Sequence, residues 1–242
     1  MDYVIQKMRS HNWSIDACVG ESIAQNRFSR HERVCTKTLY NYVDLPQKLK
    51  RNTKSTRVRK NKRKLGKSIT ERANDIEDRE EFGHWEIDTV IGKKAKEDAI
   101  LLTLSERKTR QYLTRIIAGK TAPAVMAAIA DVKQEYGEHF ADVFKTITSD
   151  NGQEFADLSL LEKSTETKVY FTHPYSSFER GRNERHNRLL RRFFPKGHPI
   201  ADYSMDEIAF IVDWCNHLPR KILGYSTPAE IFKEYLDQIY AA

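Results

Sequence analysis

Gly83-His84-Trp85-Glu86-Ile87-Asp88-Thr89-Val90-Ile91-Gly92 is the stretch on which the fold turns. Trp85, Ile87, Thr89 and Ile91 alternate with Glu86, Asp88 and Val90, which is the two-residue period of a strand. Asp88 therefore points away from Ile87. A carboxylate in mid-strand among apolar neighbours has to be paired, hydrogen-bonded, metal-bound or at an exposed face. Downstream, residues 99–104 form a continuous apolar run, as in a buried strand, and residues 110–117 alternate again. Short connections make these three strands an antiparallel meander.

The pattern then changes to helix. Thr121 and Pro123 mark a start, and Val125, Ala128, Ile129, Val132 and Tyr136 recur at helical spacing. Residues 143–149 read as a fourth strand that ends at Asp150, where Asn151-Gly152 signals a turn. Residues 168–172 read as a fifth strand, closed by Pro174. A helix follows through Glu184 and is stopped by Pro195. Ser204-x-x-Glu207 and Thr227-x-x-Glu230 open two more helices with capping boxes, and Pro228 takes the first helical position of the second. The order β-β-β-α-β-α-β-α-α predicts an α/β fold, a mixed sheet flanked by helices. That is the ribonuclease H-like arrangement, and residues 82–242 carry it.

Residues 1–45 read as a small helical segment. Ser14 is a helix N-cap, and residues 36–43 form a second helix with Leu39, Tyr42 and Val43 on one side. Two helices joined by a turn fit a helix-turn-helix-like DNA-binding unit, or equally a helical hairpin packed on its neighbours. In the first case Lys37, Thr38 and Asn41 contact DNA.

Charge separates the segments. The chain carries 41 Lys/Arg against 34 Asp/Glu, a net charge of +7. Residues 46–64 hold ten of those bases and no acid, which leaves 31 against 34 elsewhere (41 − 10 = 31), a net of −3. Residues 46–81 thus read as a basic linker that follows the DNA backbone through Lys50, Arg51, Arg57, Arg59 and Lys60, since neutralising phosphates releases counterions. No run approaches the roughly 18 apolar residues of a membrane span, no apolar signal segment opens the chain, and no nucleotide-binding glycine loop occurs. A cytoplasmic, nucleoid-associated protein without a membrane partner is the expectation. Cys18, Cys35 and Cys215 are too far apart for a zinc site and read as reduced, buried thiols.

Three acids carry the chemistry. Asp150 opens Ser149-Asp150-Asn151-Gly152-Gln153-Glu154-Phe155, and Glu184 sits in Arg180-Gly181-Arg182-Asn183-Glu184-Arg185-His186-Asn187, with 33 residues between them. Asp150 at a strand end is also what a turn-capping aspartate looks like. On a helical wheel Glu184, Asn187, Arg188 and Arg191 share one face, while Leu189, Leu190 and Phe193 pack on the sheet. Arg188 and Arg191 are then phosphate contacts, unless Glu184 simply pairs with Arg188 on a solvated face. Glu179 is a nearby rival for the third acid. Hard cations such as Mg²⁺ take a few carboxylates plus substrate phosphates. Two such ions, roughly 3.5–4 Å apart, stabilise both the attacking and the leaving oxygen of a phosphodiester displacement.

Several stretches together resemble the IS-thirty family of bacterial insertion-sequence transposases. They are Phe82-Gly83-His84-Trp85-Glu86 with Asp88, Ser149-Asp150-Asn151-Gly152 with Glu154-Phe155, Tyr170-Phe171 through His173-Pro174-Tyr175 and Glu179-Arg180-Gly181 to Asn183-Glu184 and Asn187, and Phe194-Pro195-Lys196-Gly197. The resemblance spans about residues 13–235. It implies an Asp-Asp-Glu, integrase-like catalytic core, with Asp88, Asp150 and Glu184 as ligands of two Mg²⁺ ions, which Mn²⁺ can replace. It matches Asn187 to a family motif position without giving it a role. Family members commonly have Gly before the first Asp, where this chain has Ile87. They also carry a further N-terminal DNA-binding segment, so the resemblance implies a truncated chain. The implied activity is metal-dependent strand cleavage and strand transfer on element inverted repeats and target DNA, by a homo-oligomer. The rivals are a catalytically idle DNA-binding remnant and a ribonuclease H-fold nuclease.

Overall fold

The computed structural model describes residues 2–42, 65–73, 75–93, 98–173 and 183–241. The chain divides into two compact units, one of Met1–Asn61 with His217–Pro228, the other of Lys62–Asn216 with Ala229–Ala242. Of the basic linker, residues 46–64, with Lys50, Arg51, Arg57, Arg59 and Lys60, lie outside the described residues, whereas 65–73 and 75–81 are described and belong to the second unit.

The first unit contains α1 (Asp2–His11), α2 (Ile15–Ala24) and α3 (Thr36–Tyr42). Ser14 caps α2 as the sequence predicts, its hydroxyl accepting the Ala17 N–H at 3.2 Å. Val4, Ile15, Cys18 and Leu39 form the small core. α1 is absent from the sequence reading, although Val4 and Met8 have i, i+4 spacing that brings both to one face. The connection between α2 and α3 runs from 25 to 35, longer than the three- or four-residue turn of a helix-turn-helix. Residues 217–228 complete this unit, and the Tyr225 ring lies where a side chain on Gly20 would stand. Cys18 and Cys215 are buried, but Cys35 is exposed at the start of α3, with Sγ 3.1 Å from Thr38 Oγ1. The expectation of three buried thiols fails there.

The second unit is a five-stranded sheet. α4 (Asp75–Asp78) precedes β1 (His84–Ile91), β2 (Ile100–Glu106) and β3 (Tyr112–Ile117). Then come α5 (Ala122–Tyr136), α6 (Phe140–Val143), β4 (Thr146–Ser149), α7 (Leu161–Ser164), β5 (Lys168–Phe171), α8 (Asn183–Leu190), α9 (Met205–Asn216) and α10 (Pro228–Tyr240). The strand order is β3-β2-β1-β4-β5. β1 pairs antiparallel with β2, as β2 does with β3, while β1–β4 and β4–β5 are parallel. This is the expected ribonuclease H-like mixed sheet. The fourth strand is shorter than the sequence suggests, because residues up to Val143 belong to the helical turn α6. Three helices follow β5, one carrying Glu184 and two opening just after Ser204 and Thr227, where the sequence motifs set them.

Pleating sorts the sheet into two unlike faces. Trp85 and Ile87 of β1, Leu102 and Leu104 of β2, Ile147 of β4, and Val169 and Phe171 of β5 enter one core with Val125, Ala128, Ile129, Val132 and Tyr136 of α5. That α5 set is the one its helical spacing predicts. Thr121 caps α5, its hydroxyl accepting the Ala124 N–H. Trp85 is fully buried, stacks on Phe144 at 4.5 Å between ring centres, and donates its indole N–H to the Val143 carbonyl at 2.7 Å.

The opposite face is polar. It carries His84, Glu86 and Asp88, with Ser105 and Thr103 level with the last two on β2, and Thr146 and Thr148 on β4. Residues 65–73 and 76–79 form a strap that starts along β5 and reaches this face. Ser68 makes a β-bridge to Phe171, and the Lys67 carbonyl accepts the Phe171 N–H at 2.8 Å. Arg72 donates to Thr148 Oγ1 at 3.1 Å and pairs with Glu77. Arg107 bridges Glu86 at 2.8 Å and Glu77 at 3.0 Å. Arg110, in the β2–β3 turn, is pulled down to about 10 by burial and by the neighbouring Arg79. The sequence shows this stretch only as mixed charge, because ion pairs across a sheet have no sequence period.

Candidate active site

Asp88 lies on the polar face of β1, half-buried, as its alternation requires. Its neighbour Ile87 is fully buried in the core, which accounts for an apolar residue there. β1 and β4 run parallel with His84 opposite Thr146 and Glu86 opposite Thr148. The same offset of 62 (146 − 84) carried two residues further sets Asp150 level with Asp88. Neighbouring strands lie roughly 4.8 Å apart, so a turn that begins at that level starts close to the middle of β1. β4 has ended at Ser149, and the space beyond a parallel strand's carboxyl end is where ligands bind in open α/β sheets.

The Asp150 loop is stitched on every side. Asp150 Oδ1 accepts the Gly152 N–H at 2.9 Å, so the turn-capping reading of this residue is realised. Asn151 accepts the Leu65 N–H of the strap at 3.3 Å and donates to the Thr172 carbonyl at the end of β5. Gly152 is where a Cβ would stand 2.5 Å from Glu154 Oε2 and 2.8 Å from Asp150 Oδ1, so the two carboxylates flank one glycine. Glu154 is buried, pairs with Lys120 at 2.8 Å and accepts the Thr89 hydroxyl at 3.4 Å. The sequence motif contains Glu154 but gives no sign of Lys120, which reaches it from another loop.

Two N–H groups donate to the Asp88 carboxylate. Oδ1 accepts the Thr89 N–H and Oδ2 accepts the Asn187 side-chain amide, both at 2.9 Å. Its backbone carbonyl accepts the Thr103 hydroxyl at 3.1 Å. Asn187 in turn accepts the Tyr112 hydroxyl at 2.9 Å. α8 is thereby fixed to the carboxylate of β1, and it carries Glu184 in its first turn. The Glu184 side chain and the rival Glu179 lie outside the described residues. Among the described residues no cluster of three metal-ligating side chains occurs.

The other candidates fall in different places. Arg188 is exposed on α8. Just after Leu190, the Arg191 N–H still bonds the Asn187 carbonyl at 2.9 Å, and its guanidinium donates to the Ile91 carbonyl at 2.7 Å and the Phe194 carbonyl at 3.4 Å. Burial pulls its pKa below the usual arginine range. Leu190 is fully buried, while Phe193 packs edge-on against Trp214 of α9. Lys37 is exposed on α3 and Thr38 is half-buried beside Cys35. Asn41 belongs to α3, with its side chain outside the description. No helix among the described residues is long and apolar enough to cross a membrane.

No family model matches the chain. It is 39% identical over 208 residues to a probable transposase for insertion-like sequence element IS1161 from Streptococcus salivarius, covering 82% of this chain and 58% of that protein. It is 36% identical over 168 residues to the transposase InsI of insertion sequence element IS30C from Escherichia coli, covering 69% of this chain and 42% of that protein. The chain thus spans about half the length of the curated relatives it matches. The crystal structure of the catalytic core domain of BIV integrase overlays 66% of this chain and 99% of its own, with a TM-score of 0.49 and 21% identity.

Proposed function

We propose, for a chain that belongs to the IS-thirty family of insertion-sequence transposases, metal-dependent cleavage and joining of DNA at Asp88, Asp150 and Glu184. The observation that carries the reading is the parallel register of β1 and β4, which ends at Glu86 opposite Thr148 and leads the chain into Asp150 just beyond β4, on the side of the sheet where Asp88 lies two residues on. The donor set suits Mg²⁺, with Mn²⁺ as substitute, because hard divalent cations take carboxylate oxygens. Asp88 and Asp150 would hold the ions from the sheet and Glu184 from α8. Bound ions of this kind lower the pKa of a nucleophilic oxygen and offset charge on the pentacoordinate phosphorus.

The chain's own residues set the geometry. The Asx turn and the Asn151 stitches fix the Asp150 carboxylate, and Asn187 fixes that of Asp88. Arg188, exposed on α8, and Arg191, which also donates to the carbonyls of Ile91 and Phe194, would meet substrate phosphates. Lys37, Thr38 and Asn41 on α3, with Lys50, Arg51, Arg57, Arg59 and Lys60, supply salt-sensitive DNA affinity. The substrates are then the element's inverted repeats and target DNA, brought together by a homo-oligomer.

The test is Mg²⁺-dependent joining of a labelled element-end duplex to plasmid, with wild type and Glu184→Gln side by side. Joining by wild type alone is the expected result. Equal joining by Glu184→Gln would sink the assignment of the third acid. DNA binding without joining by wild type would favour the idle remnant.

A further inference from the structure

The structure assigns Tyr112 a positioning role: its hydroxyl orients the Asn187 amide, and that amide orients the Asp88 carboxylate. The inference rests on the reading of Asp88 as a catalytic ligand and adds a residue that no motif marks.

An asparagine amide has two ends, one donating and one accepting. Asn187 can aim its N–H at Asp88 only if its oxygen faces the other way. Tyr112 settles that choice, donating to Asn187 Oδ1 at 2.9 Å while Asn187 Nδ2 donates to Asp88 Oδ2 at 2.9 Å. Tyr112 is 2% exposed, and burial holds its hydroxyl well above the usual tyrosine range, so it stays a proton donor wherever the enzyme works. A carboxylate in its place would compete with Asp88 for the amide hydrogens.

The tyrosine is itself fixed. Asn216, at the end of α9 and buried, accepts the Tyr112 N–H at 2.9 Å and donates to the Tyr112 carbonyl at 2.9 Å. That pair occupies the backbone groups of an edge strand, which otherwise lie unpaired. A line of hydrogen bonds therefore runs from α9 through β3 and α8 to Asp88 on β1. Asn187 stands three residues after Glu184, on the same helical face by spacing. Locking Asn187 onto Asp88 thus also sets the rotation of the helix that brings the third acid. Four elements agree on one carboxylate position, which is what ligation by side chains from separate elements requires.

Tyr112→Phe removes one oxygen and keeps the buried ring. Loss of a partner that orients a metal ligand typically costs about 10–100-fold in metal affinity or activity. The experiment is Mn²⁺ titration of the full chain by calorimetry, for wild type, Tyr112→Phe, Asn187→Ala, the double variant and Asp88→Asn. It is read beside the side-chain amide signals of Asn187 by NMR without metal. We expect about tenfold weaker Mn²⁺ binding in Tyr112→Phe, a double variant no weaker than Asn187→Ala alone, and wild-type Asn187 amide hydrogens protected from exchange but unprotected in Tyr112→Phe. DNA cleavage should lose kcat with KM for DNA unchanged.

Additive losses in the double variant, or an Asn187 amide unchanged in Tyr112→Phe, would overturn the relay. Equal Mn²⁺ binding by wild type and Asp88→Asn would instead refute Asp88 as a ligand, and the amide signals would still decide the relay. If Tyr112→Phe does not fold, unprotected Asn187 amide hydrogens in wild type overturn the inference without it.

Discussion

Gly152→Ala is the sharpest test of the site, because its effect is steric alone. Gly152 has φ −66° and ψ 144°, a conformation that alanine adopts without strain. The new Cβ would stand 2.5 Å from Glu154 Oε2 and 2.8 Å from Asp150 Oδ1, whereas ordinary contact begins at 3.4 Å. Ordinary contact requires the Glu154 oxygen to retreat by about 0.9 Å (3.4 − 2.5) and the Asp150 oxygen by about 0.6 Å (3.4 − 2.8). Glu154 has little room, being buried and paired to Lys120. Asp150 gives way by breaking its bond to the Gly152 N–H. A misplacement of about 1 Å costs on the order of 100-fold in rate. We therefore expect kcat for Mg²⁺-dependent DNA cleavage to fall about 10–100-fold, with an overpacking cost to stability of about 1–3 kcal/mol. Gly119→Ala is the control, since nothing lies within 4 Å of its Cβ position. The assay is cleavage at saturating DNA for both variants and wild type. Gly152→Ala within twofold of wild type would refute the claim that Asp150 is fixed at a working position by this turn.

Trp85→Ala should destabilise the second unit by about 3–5 kcal/mol in urea unfolding, because it empties a fully buried site that also satisfies the Val143 carbonyl. His84 gives a pH dependence. Burial holds its pKa below 6.5 despite the Glu81 carboxylate 2.9 Å away. The unfolded chain then takes up a proton that the folded chain refuses, so stability falls as pH drops below 6.5 towards the lowered folded value. Melting temperature against pH should show this slope in wild type and lose it in His84→Gln, and equal slopes would count against the assignment.

Regular elements were legible in the sequence wherever burial imposed a period. The alternation in β1 placed Asp88 opposite Ile87, and the helical spacing in α5 named the five residues that reach the core. Ser204 and Glu207 form the capping box that their spacing suggests, with bonds of 2.8 and 3.2 Å. Contacts between distant segments were not legible. Lys120 finds Glu154, Leu65 finds Asn151 and Arg72 finds Thr148 only after the sheet has formed. α1 was missed because one turn of apolar spacing beside charged residues is a weak signal. The bond from the Arg191 guanidinium to the Ile91 carbonyl of β1 was equally out of reach of a helical wheel.

The two faces of the sheet explain why the acids were found and their supports were not. A residue that binds metal or DNA must stand at a particular place on a strand or helix, so its type and spacing show locally. The residues that hold it are chosen by reach across the fold. Asn151 serves three segments at once, joining the strap, the Asp150 loop and the end of β5. Tyr112, 38 residues before Asp150 (150 − 112), looks in sequence like any inward strand aromatic. Its hydroxyl acquires meaning only because β3 is two strands from β1 and α8 crosses over both. A site assembled from adjacent strands and a returning helix thus needs its polar face buried, and burial in turn obliges each polar group there to find a partner. The N–H groups of Thr89 and Asn187 meet part of that demand at Asp88, each donating to one of its carboxylate oxygens.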